Sequence, residues 1–164
     1  MSKFHLGTAS RAKLVGVHPD LIRVVETAII RTDVDFGISE GVRTLARQQE
    51  LVASGASQTL HSRHLAKLDP TLGTVVGYAV DLVAYVGATL RWDWPLYFQL
   101  AGAMQQAALE CDVSVVWGGV WDREMAEYTD PQTEVARYVA RREARHKRAF
   151  LDGPHFQLSE RTYP

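Results

Sequence analysis

The sequence predicts a single α+β domain in which helices flank a small, mainly antiparallel sheet. Three observations carry this. Segments with the 3.6-residue period of amphipathic helices alternate with short apolar runs of strand length, without the regular strand–helix–strand rhythm of a parallel sheet. The 164 residues suit one hydrophobic core and should bury roughly 70% of the unfolded surface. Hydrophobic residues make up 46% of the chain and charged residues 23%, which excludes disordered, collagenous and disulfide-framework classes.

Residues 19 to 31 read as an amphipathic helix. Pro19 suits its first turn, and Leu21, Ile22, Val25, Ala28 and Ile29 fall on one face. Val34 to Ser39 reads as a short strand. Thr44 is placed as the N-cap of a helix to about Ser54, stopped by Gly55. Ala79 to Val86 is a largely buried strand. Pro95 opens a long helix to about Glu110 that carries Leu96, Leu100, Ala103, Met104 and Ala107. Val113 to Trp117 is a strand, Asp130-Pro131 starts a helix to about Arg148, and His155 to Leu158 is the last strand. Two stretches look added to this plan: 65 to 76, read as a loop because of Pro70 and Gly73, and 122 to 150.

Eighteen Lys and Arg balance nineteen Asp and Glu, so the net charge of -1 disfavours a globally basic nucleic-acid binder. One cysteine, Cys111, permits neither an internal disulfide nor a thiolate metal cage, and reads as an inert, buried apolar residue. No apolar run is long enough to span a membrane. The opening residues lack the apolar stretch of a secretory signal, so synthesis in a cytosol is expected.

Chemistry concentrates in three places. His64 follows Ser62-Arg63, Asp81 lies inside the apolar run Gly77 to Val83, and His155 closes Asp152-Gly153-Pro154-His155. A carboxylate in so apolar a strand is costly unless paired or bound to a cation. Two imidazoles and one carboxylate are the protein ligands of an open catalytic zinc site, with the fourth position left for water. Asp152 precedes His155 by three residues, so a tight turn through Gly153-Pro154 brings both to one point. From spacing alone a plainer reading stays open, in which Asp81 caps a turn or pairs with an arginine and the histidines are structural.

These blocks, with Glu40-Gly41-Val42-Arg43-Thr44 and Gln48 upstream and Trp117-Gly118-Gly119 and Trp121 downstream, resemble the zinc peptidases grouped with lysostaphin, D-alanyl-D-alanine carboxypeptidases and the hedgehog fold. Within that group the chain resembles the bacteriophage L-alanyl-D-glutamate peptidase endolysins, over most of residues 34 to 158. The resemblance implies one zinc ion held by His64, Asp81 and His155, with Asp152 as catalytic acid/base and Arg43 facing the cleft to bind substrate oxygens and the developing oxyanion. Ser62 and Gln48 are implied as substrate or supporting contacts, and Trp117 and Trp121 as cleft-side aromatics; Trp92 and Trp94 either line the same groove or, at least as readily, pack in the core. The implied activity is hydrolysis of the L-alanyl-D-glutamate bond of peptidoglycan in a Gram-negative host, by a monomer that waits in the cytosol until a holin opens the inner membrane.

The sequence departs from the family in its long gap between His64 and Asp81, which leaves His61 as a rival first ligand, and in the long segment before Asp152. That segment carries Arg137, Arg141, Arg142, Arg145, Lys147 and Arg148. This basic stretch is either a solvated face or a contact to anionic membrane or lipopolysaccharide. A D-alanyl-D-alanine carboxypeptidase of wall turnover, or a non-catalytic zinc-stabilised binding module, are the alternative functions. A nucleic-acid role is not expected, because no base-stacking aromatics accompany the charges.

Overall fold

A computed structural model describes residues 3–164. Among these residues five α-helices surround a six-stranded sheet, and every strand pair in it is antiparallel. The strands of the main sheet are β1 (Asp35–Glu40), β4 (Ala79–Val86), β5 (Thr89–Arg91), β6 (Val115–Trp117), β7 (Val120–Glu124) and β8 (His155–Leu158). Their spatial order is β1-β4-β8-β6-β7, with β5 hairpinned onto the far end of β4. The last strand in sequence therefore lies between β4 and β6, in the middle of the sheet.

Helix α2 (Pro19–Arg31) and helix α4 (Trp94–Cys111) pack against each other and supply most of the helical side of the core. In α2 the buried residues are Leu21, Val24, Val25, Ala28 and Ile29, with Ile22 only partly buried. The apolar stripe is thus rotated slightly from the expected one, with Val24 at its centre. Val80, Leu82 and Ala84 of β4 face this core together with Phe156 and Leu158 of β8. By the two-residue period of a strand, Asp81 points to the opposite face.

Helix α3 (Leu45–Ala53) begins where expected. The Thr44 side chain accepts the Arg47 amide at 3.2 Å, and Gly55 takes the left-handed conformation that ends the segment. A short helix α1 (Thr8–Lys13), absent from the sequence reading, lies on β1, where Ser10 Oγ accepts the Ile38 amide. It has no buried residue, so no apolar period announces it.

Three expectations need correction. Residues 65 to 76 are not a plain loop: β2 (Lys67–Leu68) pairs with β3 (Val75–Val76) as a separate hairpin. Buried Asp69 organises its turn by accepting the amides of Thr71 and Leu72, and it accepts the Tyr78 hydroxyl at 2.6 Å. The insert is thereby fastened to the entrance of β4. Likewise, α5 spans Pro131–Glu143 and stops short of Arg148, so Arg145, Lys147 and Arg148 lie beyond the helix. The chain turns back there, with His146 in the left-handed region at φ 54. The helix is bolted to β7: Arg141 donates to both oxygens of Asp122 at 2.8 and 2.9 Å and to buried Glu134 at 2.8 Å. Cys111 is half-buried rather than buried, with its sulfur 3.4 Å from Thr27 Oγ1.

The hydrogen bond from Tyr78, with the Leu72 and Thr71 amides, holds the Asp69 carboxyl below its ordinary range. A carboxyl with a lowered folded-state pKa stabilises the fold above its unfolded pKa of about 3.9 and loses that contribution as pH falls through the folded value. Asp69→Asn should therefore melt below the wild type at pH 7, and the gap should close as the pH is taken down towards 3. A gap independent of pH in thermal denaturation would contradict this.

Candidate metal centre and cleft

The site is built from a row across three adjacent strands. Glu40 of β1 lies opposite Asp81 of β4, which lies opposite His155 of β8. A register irregularity between Ile38 and Glu40 brings Glu40 into this row, and there Ser39 Oγ donates to the Asp81 carbonyl at 3.1 Å. The fourth member, His64, arrives on a turn. Its amide donates to Ser62 Oγ and its carbonyl accepts the Arg43 amide. Its Nδ1 lies 2.7 Å from the carbonyl of Gly41. Gly41 must be glycine, because a β-carbon there would fall 1.9 Å from the Lys13 carbonyl at the end of α1.

His64 Nε2, His155 Nδ1 and Asp81 Oδ1 form a triangle with all three sides 3.1 Å. Among the described residues these three form the one group of histidine, cysteine and acidic side chains placed so that it could hold a metal ion. His61, the rival first ligand, lies outside it, with an exposed ring. The far nitrogens set the tautomers. A carbonyl can only accept, so His64 Nδ1 carries the proton given to Gly41. His155 Nε2 lies 2.9 Å from Gln157 Oε1 and is protonated in the same way. In the neutral rings both inner nitrogens then present lone pairs, beside a carboxylate oxygen. Three acceptors at this separation repel unless a cation lies among them. A tetrahedral first-row ion with bonds of about 2.1 Å separates its ligand atoms by about 3.4 Å, so the triangle fits with small adjustment. The titration directions show the same demand for positive charge. Burial of Asp81 opposes its ionisation, but its close contacts with the His155 and His64 rings outweigh it and hold the carboxyl far below its ordinary range. Burial of His155 opposes protonation, but Asp81 outweighs it and the pKa is raised.

Asp152 sits in the turn before β8. Its carbonyl accepts the His155 amide, and its amide donates to Gly118, whose own amide returns to the His155 carbonyl. A β-carbon on Gly118 would come within 2.1 Å of the Asp152 carbonyl, so the Trp117-Gly118 pair is what lets this turn close. The Asp152 carboxyl has no hydrogen-bond partner among the described residues and faces a cavity of about 750 Å³ shared with His64, Asp81, His155 and Arg43. Burial raises its pKa; His155, His64 and Arg43 offset this in part, while Asp81 adds to it.

The Arg43 side chain is nearly buried in the cavity wall and tied to protein on every nitrogen. Nε donates to Glu40 Oε1 at 2.9 Å, and Nη2 pairs with Glu40 Oε2. Nη1 donates to Gln48 Oε1 at 2.6 Å. Its contacts to Ser62 Oγ and Asp81 Oδ2 are longer, both 3.4 Å. Glu40 is the residue that sequence reasoning missed as a participant. An acid at the end of a strand looks like solvated surface, and only its place three residues before Arg43 hinted otherwise.

Three expected residues stand elsewhere. Trp117 does not face the cleft: it is fully buried, stacks on Phe156 and donates to the Gly153 carbonyl at 2.7 Å. Gln48 is fully buried, so of its two expected roles it has the supporting one: its oxygen receives Arg43 while its amide donates to Ser57 and Thr59. Trp92 and Trp94 are exposed rather than core. Trp121 does line the cavity, its ring 5.0 Å from that of His155 and stacked on Phe150, a wall residue that the sequence did not single out. Ser62 is half-buried at the cavity edge.

The sequence profile of the family described as "Phage L-alanyl-D-glutamate peptidase" matches residues 1–159. The chain belongs to that family. Within it, the L-alanyl-D-glutamate peptidase of Escherichia phage T5 is 26% identical over 159 residues, spanning 94% of this chain and 98% of the relative. Among solved structures, the Serratia marcescens L-Ala D-Glu endopeptidase ChiX superimposes with a TM-score of 0.69 and 39% identity, covering 99% of this chain and 96% of that one.

A divalent cation that fills the triangle binds the folded state alone and stabilises it, by about 2.7 kcal/mol at a free concentration one hundred times its Kd. Thermal denaturation should show the midpoint rise on adding zinc to chelator-treated protein, and the rise should vanish in His64→Ala and in Asp81→Asn. An equal rise in those variants would place the cation elsewhere.

Proposed function

We propose that this peptidase hydrolyses the amide between L-alanine and D-glutamate in the stem peptide of bacterial peptidoglycan, using one zinc ion held by His64, Asp81 and His155. The observation that carries the reading is the triangle of acceptors beside an unpaired carboxyl, in a cleft of a family named for this bond. Two imidazoles and one carboxylate are a donor set suited to zinc with an open position. When bound, zinc polarises a carbonyl oxygen and lowers the pKa of water towards about 7.

The chain's own residues perform the proton and charge work. Ionised Asp152 takes a proton from the attacking water and delivers one to the nitrogen of the departing D-glutamyl amine as the C–N bond breaks. Its raised pKa makes it a better base than an ordinary carboxylate. Arg43 supports the negative charge that grows on the carbonyl oxygen, exchanging its two 3.4 Å contacts to Ser62 and Asp81 for the substrate. Glu40 and Gln48 hold the guanidinium in place, and His64 and His155 are kept in ligand tautomers by Gly41 and Gln157.

The finer partners and setting are proposed on the same basis. The enzyme acts as a monomer, made in a host cytosol and admitted to the periplasmic wall by a holin. No helix of the described residues is long and apolar enough to cross a membrane. Contact with anionic membrane or lipopolysaccharide falls to exposed Arg137, Arg145, Lys147 and Arg148, because Arg141 is spent on Asp122 and Glu134.

Mass spectrometry of digested peptidoglycan tests the bond: new D-glutamate amino termini, with L-alanine left on the glycan, support the reading, and release of D-alanine alone supports a D,D-carboxypeptidase. Asp152→Asn should lower kcat by about 10²- to 10⁴-fold while zinc content and melting temperature stay near those of the wild type. Glu40→Gln, which loosens Arg43, should cost about 10- to 100-fold in kcat/KM. An Asp152→Asn enzyme of wild-type activity would remove the carboxyl from the mechanism.

A further inference from the structure

We propose that Arg142 reads the spare carboxylate of the D-glutamyl residue, and so sets the preference of the cleft for an anionic stem peptide. The inference rests on the L-alanyl-D-glutamate reading above. A D-glutamyl residue has two carboxyl groups, and only one can carry the stem onward. The other stays free, a few bonds from the scissile nitrogen. The cleft that must accept it is already lined by the carboxyls of Asp81, Asp122, Glu124, Asp152 and Glu160, so a further negative charge needs a positive partner not committed elsewhere.

The arginines of the cavity differ in this respect. Arg43 is bound to Glu40 and Gln48. Arg123 faces buried Glu134 at 3.6 Å, and Arg161 faces Glu127 at 3.3 Å. Arg63 is buried over the Tyr78 ring and donates to the carbonyls of Leu158 and Tyr163. Arg63 and Arg142 both lack a hydrogen bond to another side chain and a carboxylate within ion-pair distance among the described residues, but Arg63 is buried, whereas Arg142 is half-buried in the cavity wall and open to a ligand. Its Nε and Nη2 both donate to the Arg148 carbonyl, at 3.3 and 3.2 Å. That clasp fixes the plane of the fork and leaves Nη1, with two N–H groups, unengaged. A guanidinium so held loses little side-chain freedom when a carboxylate docks. It belongs to the wall that also presents Trp121, Tyr138 and Phe150, so the charge works beside apolar surface, where it is less screened than in open solvent.

The test uses two N-acylated L-alanyl-D-glutamyl peptides that differ only in whether the spare group is a carboxylate or a carboxamide. Wild-type enzyme should favour the carboxylate by about 10- to 100-fold in kcat/KM, mostly through KM. In Arg142→Gln the ratio should fall towards one, and Arg142→Lys should keep part of it. The ratio is insensitive to a general loss of folded enzyme, because both peptides meet the same preparation. A wild-type ratio near one, or an Arg142→Gln ratio equal to that of the wild type, overturns the assignment while cleavage itself stands. Failure of the wild type to cleave either peptide overturns the peptidase reading and this inference together.

Discussion

Mutual repulsion of three acceptor atoms is the constraint around which the molecule is arranged. His64 Nε2, His155 Nδ1 and Asp81 Oδ1 are brought to 3.1 Å by hydrogen bonds on their far sides. Left to themselves they would part or gain a proton. The surroundings prevent separation: Gly41 and Gln157 fix the rings, Arg43 touches the other oxygen of Asp81, and the strand register sets Asp81 opposite His155. The fold thus holds an arrangement that is unfavourable without a cation and ready-made for one.

A second layer of the same logic surrounds Arg43. Its guanidinium is satisfied by an acid three residues earlier and by a glutamine with no exposed surface. Rigid placement of this kind favours catalysis more than flexible reach does, since stabilisation of growing charge depends on donors that need not reorganise. The helix α5 follows a parallel scheme on the outer wall. Glu134, almost without exposure, faces Arg123, Arg137 and Arg141, so much of the basic stretch serves to hold that wall against β7.

The parts of this design that were legible in the sequence are those with a local signature. Helices α2, α3 and α4 have apolar periods and caps, and β4 is an unbroken apolar run. Asp81 stood out because a charge in such a run needs a reason. What escaped depends on contacts between distant segments. The register irregularity beside Ser39, which recruits Glu40, is a property of strand pairing. Pro70 and Gly73 suggest a loop, and only the Asp69–Tyr78 contact makes the segment a docked hairpin. Residues 144 to 148 continue a helix-forming composition, yet the chain turns back, with the Arg148 carbonyl returning to the Arg142 side chain. Trp117 was misplaced because nearness in sequence to Gly118 and Asp152 does not say on which side of the sheet a ring lies.

The central position of β8 has a consequence for the order of assembly. Positions 40, 64, 81 and 155 meet only when the segment around 155 to 158 inserts between two strands made much earlier. Until it does, β4 and β6 each present an open hydrogen-bonding edge, and two members of the candidate metal cluster wait for the third. During translation the His64, Asp81 and His155 cluster therefore stays incomplete for most of the synthesis, and chains interrupted before residue 155 lack one of its three members.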